Sequence, residues 1–227
     1  EVGDLVGALY HPDDGHVAPV DLTMALAKGA RMNGGEIYTQ TEVTGIHQKP
    51  NDEWVVSTSQ GDITCEVVIS CTGNYARETG RMVGLELPVV PVEHQYIVTG
   101  AIPELAEYNQ GGNPELAVLR ESDASYYMRQ EADGLILGPY EKGAPCWALD
   151  GVPEGFGQEL LAPDVERLEP HVIAAGKRVP LFESAGMKEC INGPIAYTPD
   201  GSPVIGPAWG LKNFWINEGH SFGVTAA

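Results

Sequence analysis

The chain of 227 residues is 43% hydrophobic and 20% charged, a composition that permits a sizeable folded core. Its 32 acidic and 13 basic residues give a formal net charge of −19, and no Lys/Arg cluster appears, which argues against non-specific nucleic-acid binding. No apolar run reaches the ~18 residues of a membrane helix, so a soluble protein is expected, and Cys65, Cys71, Cys146 and Cys190 lack C-x-x-C spacing, which points to reduced thiols in a cytoplasm-like compartment.

Glu1 opens directly into Asp4 to Tyr10 with no initiator Met, no signal segment and no G-x-G-x-x-G, as expected of a larger protein entered midway. Asp21 is placed to N-cap a helix from Leu22 to about Asn33, stopped by Gly34-Gly35. Leu22, Ala25, Leu26 and Ala30 fall on one face of it. Three extended stretches follow, Glu36 to Thr39, Glu42 to His47 and Trp54 to Thr58, and Gln60-Gly61-Asp62 turns the chain back through Ile63 to Cys65. The continuous apolar run Val67 to Cys71 predicts a strand buried on both faces of a parallel sheet. It ends in Thr72-Gly73-Asn74 before a helix from Tyr75 to Val83. Such a junction puts backbone amides at the carboxyl edge of the sheet, where α/β proteins bind ligands.

From Pro88 the pattern changes. Val89 to Thr99 alternates cleanly, with Val90, Val92, His94, Tyr96 and Val98 on one face. Ser125 to Glu131 and Gly134 to Gly138 read as a hairpin across Asp133-Gly134. The Gly/Pro-rich stretch Gly143 to Gly157 reads as a loop, a helix follows with Asp164 as its cap, and Met187 to Thr198 is extended. An Asp200-Gly201 turn then leads into a short apolar strand. A last strand, Phe214 to Asn217, breaks into a glycine-flanked loop, and Val224 to Ala227 begins a helix. Glycines there let the backbone approach a flat ligand, and free N–H groups at a helix start favour negative charge. The fold class expected is α/β interrupted by an inserted, largely antiparallel β region.

Several ordered stretches carry a family resemblance: Leu9 to Pro19, Leu22 to Ala27, Ser70 to Glu78, Pro91 to Tyr96, Ser125 to Glu131, Gly138 to Glu141, Gly151-Val152-Pro153 and Asn192 to Asp200. With them the chain resembles the dimethylglycine and sarcosine dehydrogenase branch of the D-amino-acid-oxidase-like (DAO-like) flavoproteins. The resemblance implies residues 1–87 as part of an FAD-binding domain, 88–198 as an antiparallel substrate domain, and 199–227 as the return to the first. It implies FAD as cofactor, with Val43 at the adenosine end, Thr72, Gly73 and Tyr75 along the cofactor's edge, and Gly219, His220, Ser221, Phe222, Gly223 and Val224 against the isoalloxazine. The diphosphate-binding unit and the histidine for a covalent flavin link are expected before Glu1, and a folate-binding portion after Ala227. The implied activity is oxidative demethylation of dimethylglycine, sarcosine or a similar amine. Electrons would pass to an electron-transfer protein or to oxygen, in a bacterial cytoplasm or a mitochondrial matrix.

That chemistry moves a hydride equivalent from the N-methyl carbon to flavin N5. The amine must be neutral, because a protonated nitrogen has no lone pair to push. His94 titrates near neutrality and Tyr96 lies two residues along the same face, so these two are the catalytic candidates. Arg129 and Tyr127 share a face of the next strand pair, and a guanidinium matches a carboxylate in bidentate geometry, so they are the substrate-carboxylate candidates. The alternative for Arg129 is a structural ion pair, and Arg77 and Arg120 are remoter candidates. His11 and His16 flank Asp13-Asp14 in a turn, and no metal site is expected. Two rival readings stand beside this one: a glycine-oxidase-like amino-acid oxidase, and a non-catalytic module that folds and binds a partner.

Overall fold

Pro19 sets the start of the first helix. Its fixed φ and missing N–H suit the first turn, and α1 runs Pro19–Met32 in the computed structural model, which describes residues 5–157 and 159–223. Asp21 therefore sits inside the first turn rather than at the cap, which Ala18 holds without a side-chain bond. The apolar face expected of this helix is not covered: none of its residues is buried, and Leu26 is 66% exposed. Helical spacing specifies a stripe; it does not supply the surface that buries it.

Glu36 to Thr39, expected as extended, forms no strand, because it finds no ladder partner. Then β1 (Val43–Gln48), β2 (Trp54–Thr58) and β3 (Gly61–Cys65) make an antiparallel sheet in that order. The apolar run after them gives only β4 (Val68–Ser70), with Ile69 62% exposed. Both-face burial is thus corrected: among the described residues β4 is an edge strand with one neighbour. A 3-10 turn at Gly73–Tyr75 leads into α2 (Ala76–Met82). The long alternating strand is β5 (Val90–Thr99).

Two elements with weak patterns follow, α3 (Pro103–Gln110) and β6 (Leu119–Glu121). The hairpin is β7 (Tyr126–Glu131) and β8 (Gly134–Pro139), its loop being Ala132-Asp133 with Ala132 at φ +50°. Asp164 caps α4 (Val165–Arg178) as expected, accepting the Arg167 N–H at 3.3 Å. The chain continues through α5 (Pro180–Ser184), β9 (Met187–Tyr197), β10 (Val204–Pro207) and β11 (Phe214–Glu218). The helix expected at 224–227 lies outside the described residues. No helix among them is long and apolar enough to cross a membrane.

The described residues divide into two compact units. One comprises 5–16, 93–144 and 159–193 and is built on the sheet order β6-β7-β8-β5-β9. One face of that sheet carries Ile97, Tyr126, Met128, Leu135 and Leu137, which pack with Ile102, Leu105, Leu168, Ala175 and Phe182 of the helical segments. Arg167 fixes α4 to this side: its Nη1 lies 3.0 Å from Glu93 and its Nε 2.9 Å from the almost fully buried Glu141. The Nε contact is ionic, its angle falling outside hydrogen-bond geometry.

The other unit comprises 17–92, 145–157 and 194–223. Here β11 pairs in parallel with β4 and antiparallel with β10. Trp54 and Phe214 centre its core with rings 5.3 Å apart, and the buried indole N–H is satisfied by the Lys212 carbonyl at 3.0 Å. The combination of a parallel strand pair, helices and a larger antiparallel sheet is the expected α/β architecture.

Candidate functional site

Alternation along β5 buries Gln95, Ile97 and Thr99 and leaves His94, Tyr96 and Val98 on the opposite face. The register then decides which residues join them. Val98 pairs with Ile136 and Ile97 with Leu137, while Tyr127 pairs with Gly138 and Arg129 with Ile136. One face of the sheet therefore presents His94 and Tyr96 from β5, Tyr127 and Arg129 from β7, and, across from Tyr127, Arg120 from β6. All four residues expected for catalysis and substrate binding lie on this face.

Gly138 shapes the middle of it. A Cβ built there would fall 2.1 Å from Cζ of Tyr127 and 2.4 Å from its hydroxyl, so the Tyr127 ring lies across β8 in space that only glycine leaves open. Tyr140, just past β8, closes the row. Its N–H donates to the Ser125 carbonyl at 2.7 Å, and its ring centroid is 5.8 Å from Tyr127 and 5.9 Å from His94. Burial pushes the His94 imidazole below its ordinary 6.5, against the opposing pull of Glu141. Burial likewise raises the Tyr96 and Tyr127 phenols, helped by Glu189 at Tyr96 and by Tyr140 at Tyr127. Near neutral pH the face thus offers an uncharged imidazole as proton acceptor and neutral phenol O–H donors.

The two arginines differ. Arg129 donates to Glu131 at 2.5 Å and to the Gln130 carbonyl at 2.9 Å, so Glu131 competes for its guanidinium. Arg120 is exposed and makes no ion pair among the described residues. Arg77, the other remote candidate, holds the loop at 148–149 through carbonyl bonds of 2.6 and 3.0 Å.

The other unit places the residues expected at the cofactor. The carboxyl ends of β4 and β11 meet at Glu218, which is only 1% exposed. Its carboxylate accepts from Ser70 Oγ at 2.6 Å, Thr72 N–H at 2.7 Å, Thr72 Oγ1 at 2.9 Å and Gly73 N–H at 2.8 Å. The amides of Thr72 and Gly73, expected to face a ligand, are instead occupied by this side chain. Glu218 gave no sequence signal beyond an acid at a strand end. Gly219 follows at φ +75°, where a Cβ would sit 2.4 Å from Thr198 Cγ2, so the turn admits glycine alone without rearrangement.

Beyond it, His220 contacts Asn217 Oδ1 at 2.8 Å, Ser221 is buried, and Phe222 is 54% exposed. Gly73 and Gly223, at φ +57° and +56°, have open space where a Cβ would point. Tyr75 donates its hydroxyl to the Phe156 carbonyl, Val43 stands 38% exposed on β1, and Val224 lies outside the described residues. The structure thus joins Thr72 and Gly73 to the Glu218–Gly219 strand end, while Val43 belongs to a separate sheet.

The family model described as "FAD dependent oxidoreductase" (DAO) matches residues 1–227. The chain belongs to this family of FAD-dependent oxidoreductases. It is 42% identical over 228 residues to mitochondrial dimethylglycine dehydrogenase of Mus musculus, covering 98% of this chain and 26% of that protein. It is 34% identical over 223 residues to human mitochondrial sarcosine dehydrogenase, covering 96% and 23%. The chain therefore spans about a quarter of the length of the curated relatives it matches. Among solved structures it is similar to L-proline dehydrogenase from P. horikoshii, with TM-score 0.70 and 27% identity over 89% of this chain and 50% of that one. The DAO-like fold expected from the sequence is the one found, and FAD is the family's cofactor.

Proposed function

We propose that the complete protein oxidises N-methylated amino acids, dimethylglycine or sarcosine, with FAD as cofactor. One observation carries this reading: a depressed imidazole, two neutral phenols and guanidinium groups share one face of an antiparallel sheet. The similarity to dimethylglycine and sarcosine dehydrogenases supports the substrate class.

In this reading His94, uncharged, takes the ammonium proton and leaves the nitrogen lone pair available. Tyr96 and Tyr127 donate hydrogen bonds to the substrate's polar groups and hold its orientation. Arg129 and Arg120 bind the carboxylate, and Glu131 holds the first of these arginines until substrate competes for it. When bound, FAD supplies the acceptor for the hydride equivalent that leaves the N-methyl carbon.

Thr72, Gly73, Gly219, His220, Ser221, Phe222 and Gly223 would line the cofactor's edge, with Glu218 holding the first two in place. Val43, Tyr75 and Val224 are assigned to the cofactor on family resemblance. On family resemblance we assign 1–87 and 199–227 to the FAD-binding domain and 88–198 to the substrate domain, although the compact units place 5–16 with the antiparallel sheet and 145–157 with the other unit. Electron-transfer protein or oxygen would complete the cycle, and folate would bind a part of the protein beyond this chain. The "mitochondrial" names of the relatives and the free cysteines favour a matrix location in a eukaryote or the cytoplasm in a bacterium.

Comparing dimethylglycine, sarcosine and glycine as reductants of the full-length flavoprotein tests the reading. Fast reduction by the methylated amines and slow reduction by glycine is expected. The reverse order would favour a glycine-oxidase-like enzyme.

A further inference from the structure

The candidate face carries more aromatic surface than proton transfer and carboxylate binding need. Two residues farther along each strand lies the next row on the same face, about 7 Å away. One row holds His94 beside Tyr140; the next holds Tyr96, Gly138, Tyr127 and Arg120. Ring centroids 5.9 and 5.8 Å apart make His94, Tyr140 and Tyr127 a continuous wall, tilted by 33° and 53°. Gly138 makes the wall possible, because any side chain there would lift the Tyr127 ring off the strand. Charge reaches the face from several sides: Glu189 and Glu131 act on Tyr96, Arg129 acts on both Tyr96 and Tyr127, and Arg120 acts on Tyr127, while Glu141 is held on the buried face of the sheet by Arg167 and Gln95.

We propose that this wall is a recognition site for a methylated ammonium group, with Tyr140 as its central ring and Arg120 as the anchor of the carboxylate at the opposite end. The inference rests on the amine-oxidation reading and deepens it, naming what selects the substrate. An N-methylated ammonium is a diffuse cation with an apolar surface, and a ring face within about 6 Å attracts it. A zwitterionic amino acid laid across the two rows meets aromatic faces with its nitrogen and guanidinium with its carboxylate. Tyr140 is then a specificity-determining residue that takes no proton.

The test uses the full-length flavoprotein and calorimetric titration with two ligands that lack an oxidisable lone pair. Betaine (trimethylammonioacetate) carries the cation; 3,3-dimethylbutanoate has the same shape and carboxylate without it. Betaine is expected to bind about tenfold tighter, the scale of a partly desolvated cation–π contact. Tyr140→Leu should remove most of that difference, while Tyr140→Phe keeps it. Gly138→Ala should weaken betaine as Tyr127 is displaced. Arg120→Gln should weaken both ligands alike, since both carry the carboxylate.

Equal affinity for the two ligands, or an equal loss of both in Tyr140→Leu with Tyr140→Phe unchanged, would overturn the proposal. Anaerobic flavin reduction by dimethylglycine separates the two levels. Reduction without discrimination between betaine and its isostere removes the wall alone. Discrimination without reduction removes the oxidation reading and leaves the wall standing.

Discussion

Removing the Glu218 carboxylate would strand the donors at the junction of β4 and the 3-10 turn. Four hydrogen bonds of 2.6 to 2.9 Å end on it, two of them from the Thr72 and Gly73 amides. The hydroxyls of Ser70 and Thr72 can rotate toward other acceptors, but the amides cannot turn. A buried donor left unmet costs about 1–3 kcal/mol, so two of them set the loss in Glu218→Ala at roughly 2–6 kcal/mol. Water entering the cavity brings it toward the lower end.

Glu218→Gln keeps the shape and one acceptor oxygen yet turns an NH₂ toward the Gly73 N–H, which places its loss near 2 kcal/mol. Hydrogen exchange of the segment containing Thr72 and Gly73 reads this locally, since exchange follows local opening. At about 1.4 kcal/mol per decade, Glu218→Ala should speed exchange there by at least roughly 30-fold and Glu218→Gln by roughly 30-fold. Exchange within about twofold of the parent in both variants would refute the assignment of Glu218 as the clamp of this strand end, since that is a small fraction of the loss worked out above.

Three further outcomes follow from the same geometry. Because burial holds the folded His94 imidazole below 6.5, the unfolded chain takes up the proton first as pH falls; His94 therefore contributes stability above that value that is lost as pH drops through the folded value. The parent should lose stability between neutral and mildly acidic pH more steeply than His94→Gln, and an NMR titration placing His94 above 6.5 would contradict this. Gly219→Ala forces a Cβ to 2.4 Å from Thr198 Cγ2 at φ +75° and should cost about 1–3 kcal/mol in urea unfolding, more than Gly223→Ala, where nothing lies within 4 Å. Arg167→Ala leaves Glu93, Glu141 and Asp164 facing one another without their cation and should destabilise by about 3 kcal/mol, with Arg167→Lys intermediate; a loss under ~0.5 kcal/mol, the level of ordinary surface changes, would sink that account.

Local pattern carried the sequence reading wherever partners were near in the chain. β5 was legible because strict alternation reports a sheet buried on one face, and the same alternation placed His94 and Tyr96 together. β7 and β8 were legible from the turn between them. The common face of His94 and Tyr127 needed the register, which no single strand encodes. Tyr140 and Gly138 were invisible as site residues, since their role depends on a ring reaching across from another strand. Glu218 escaped for a related reason: its donors lie about 145 residues away in sequence. The errors at α1 and β4 share one cause. Apolar periodicity marks a face but not its cover, and among the described residues Leu26 and Ile69 stay mostly exposed. The Asp21 cap failed because Pro19 two residues earlier had already fixed the helix start.

The central claim is that the complete protein withdraws a hydride equivalent from an N-methylated amino acid. Anaerobic titration of the full-length flavoprotein with dimethylglycine, followed through its visible flavin absorption, tests it most directly. The account predicts stoichiometric bleaching that slows in His94→Gln and recovers toward the parent rate as pH rises, when substrate arrives already deprotonated. A flavin that stays oxidised in the presence of both dimethylglycine and sarcosine would contradict it.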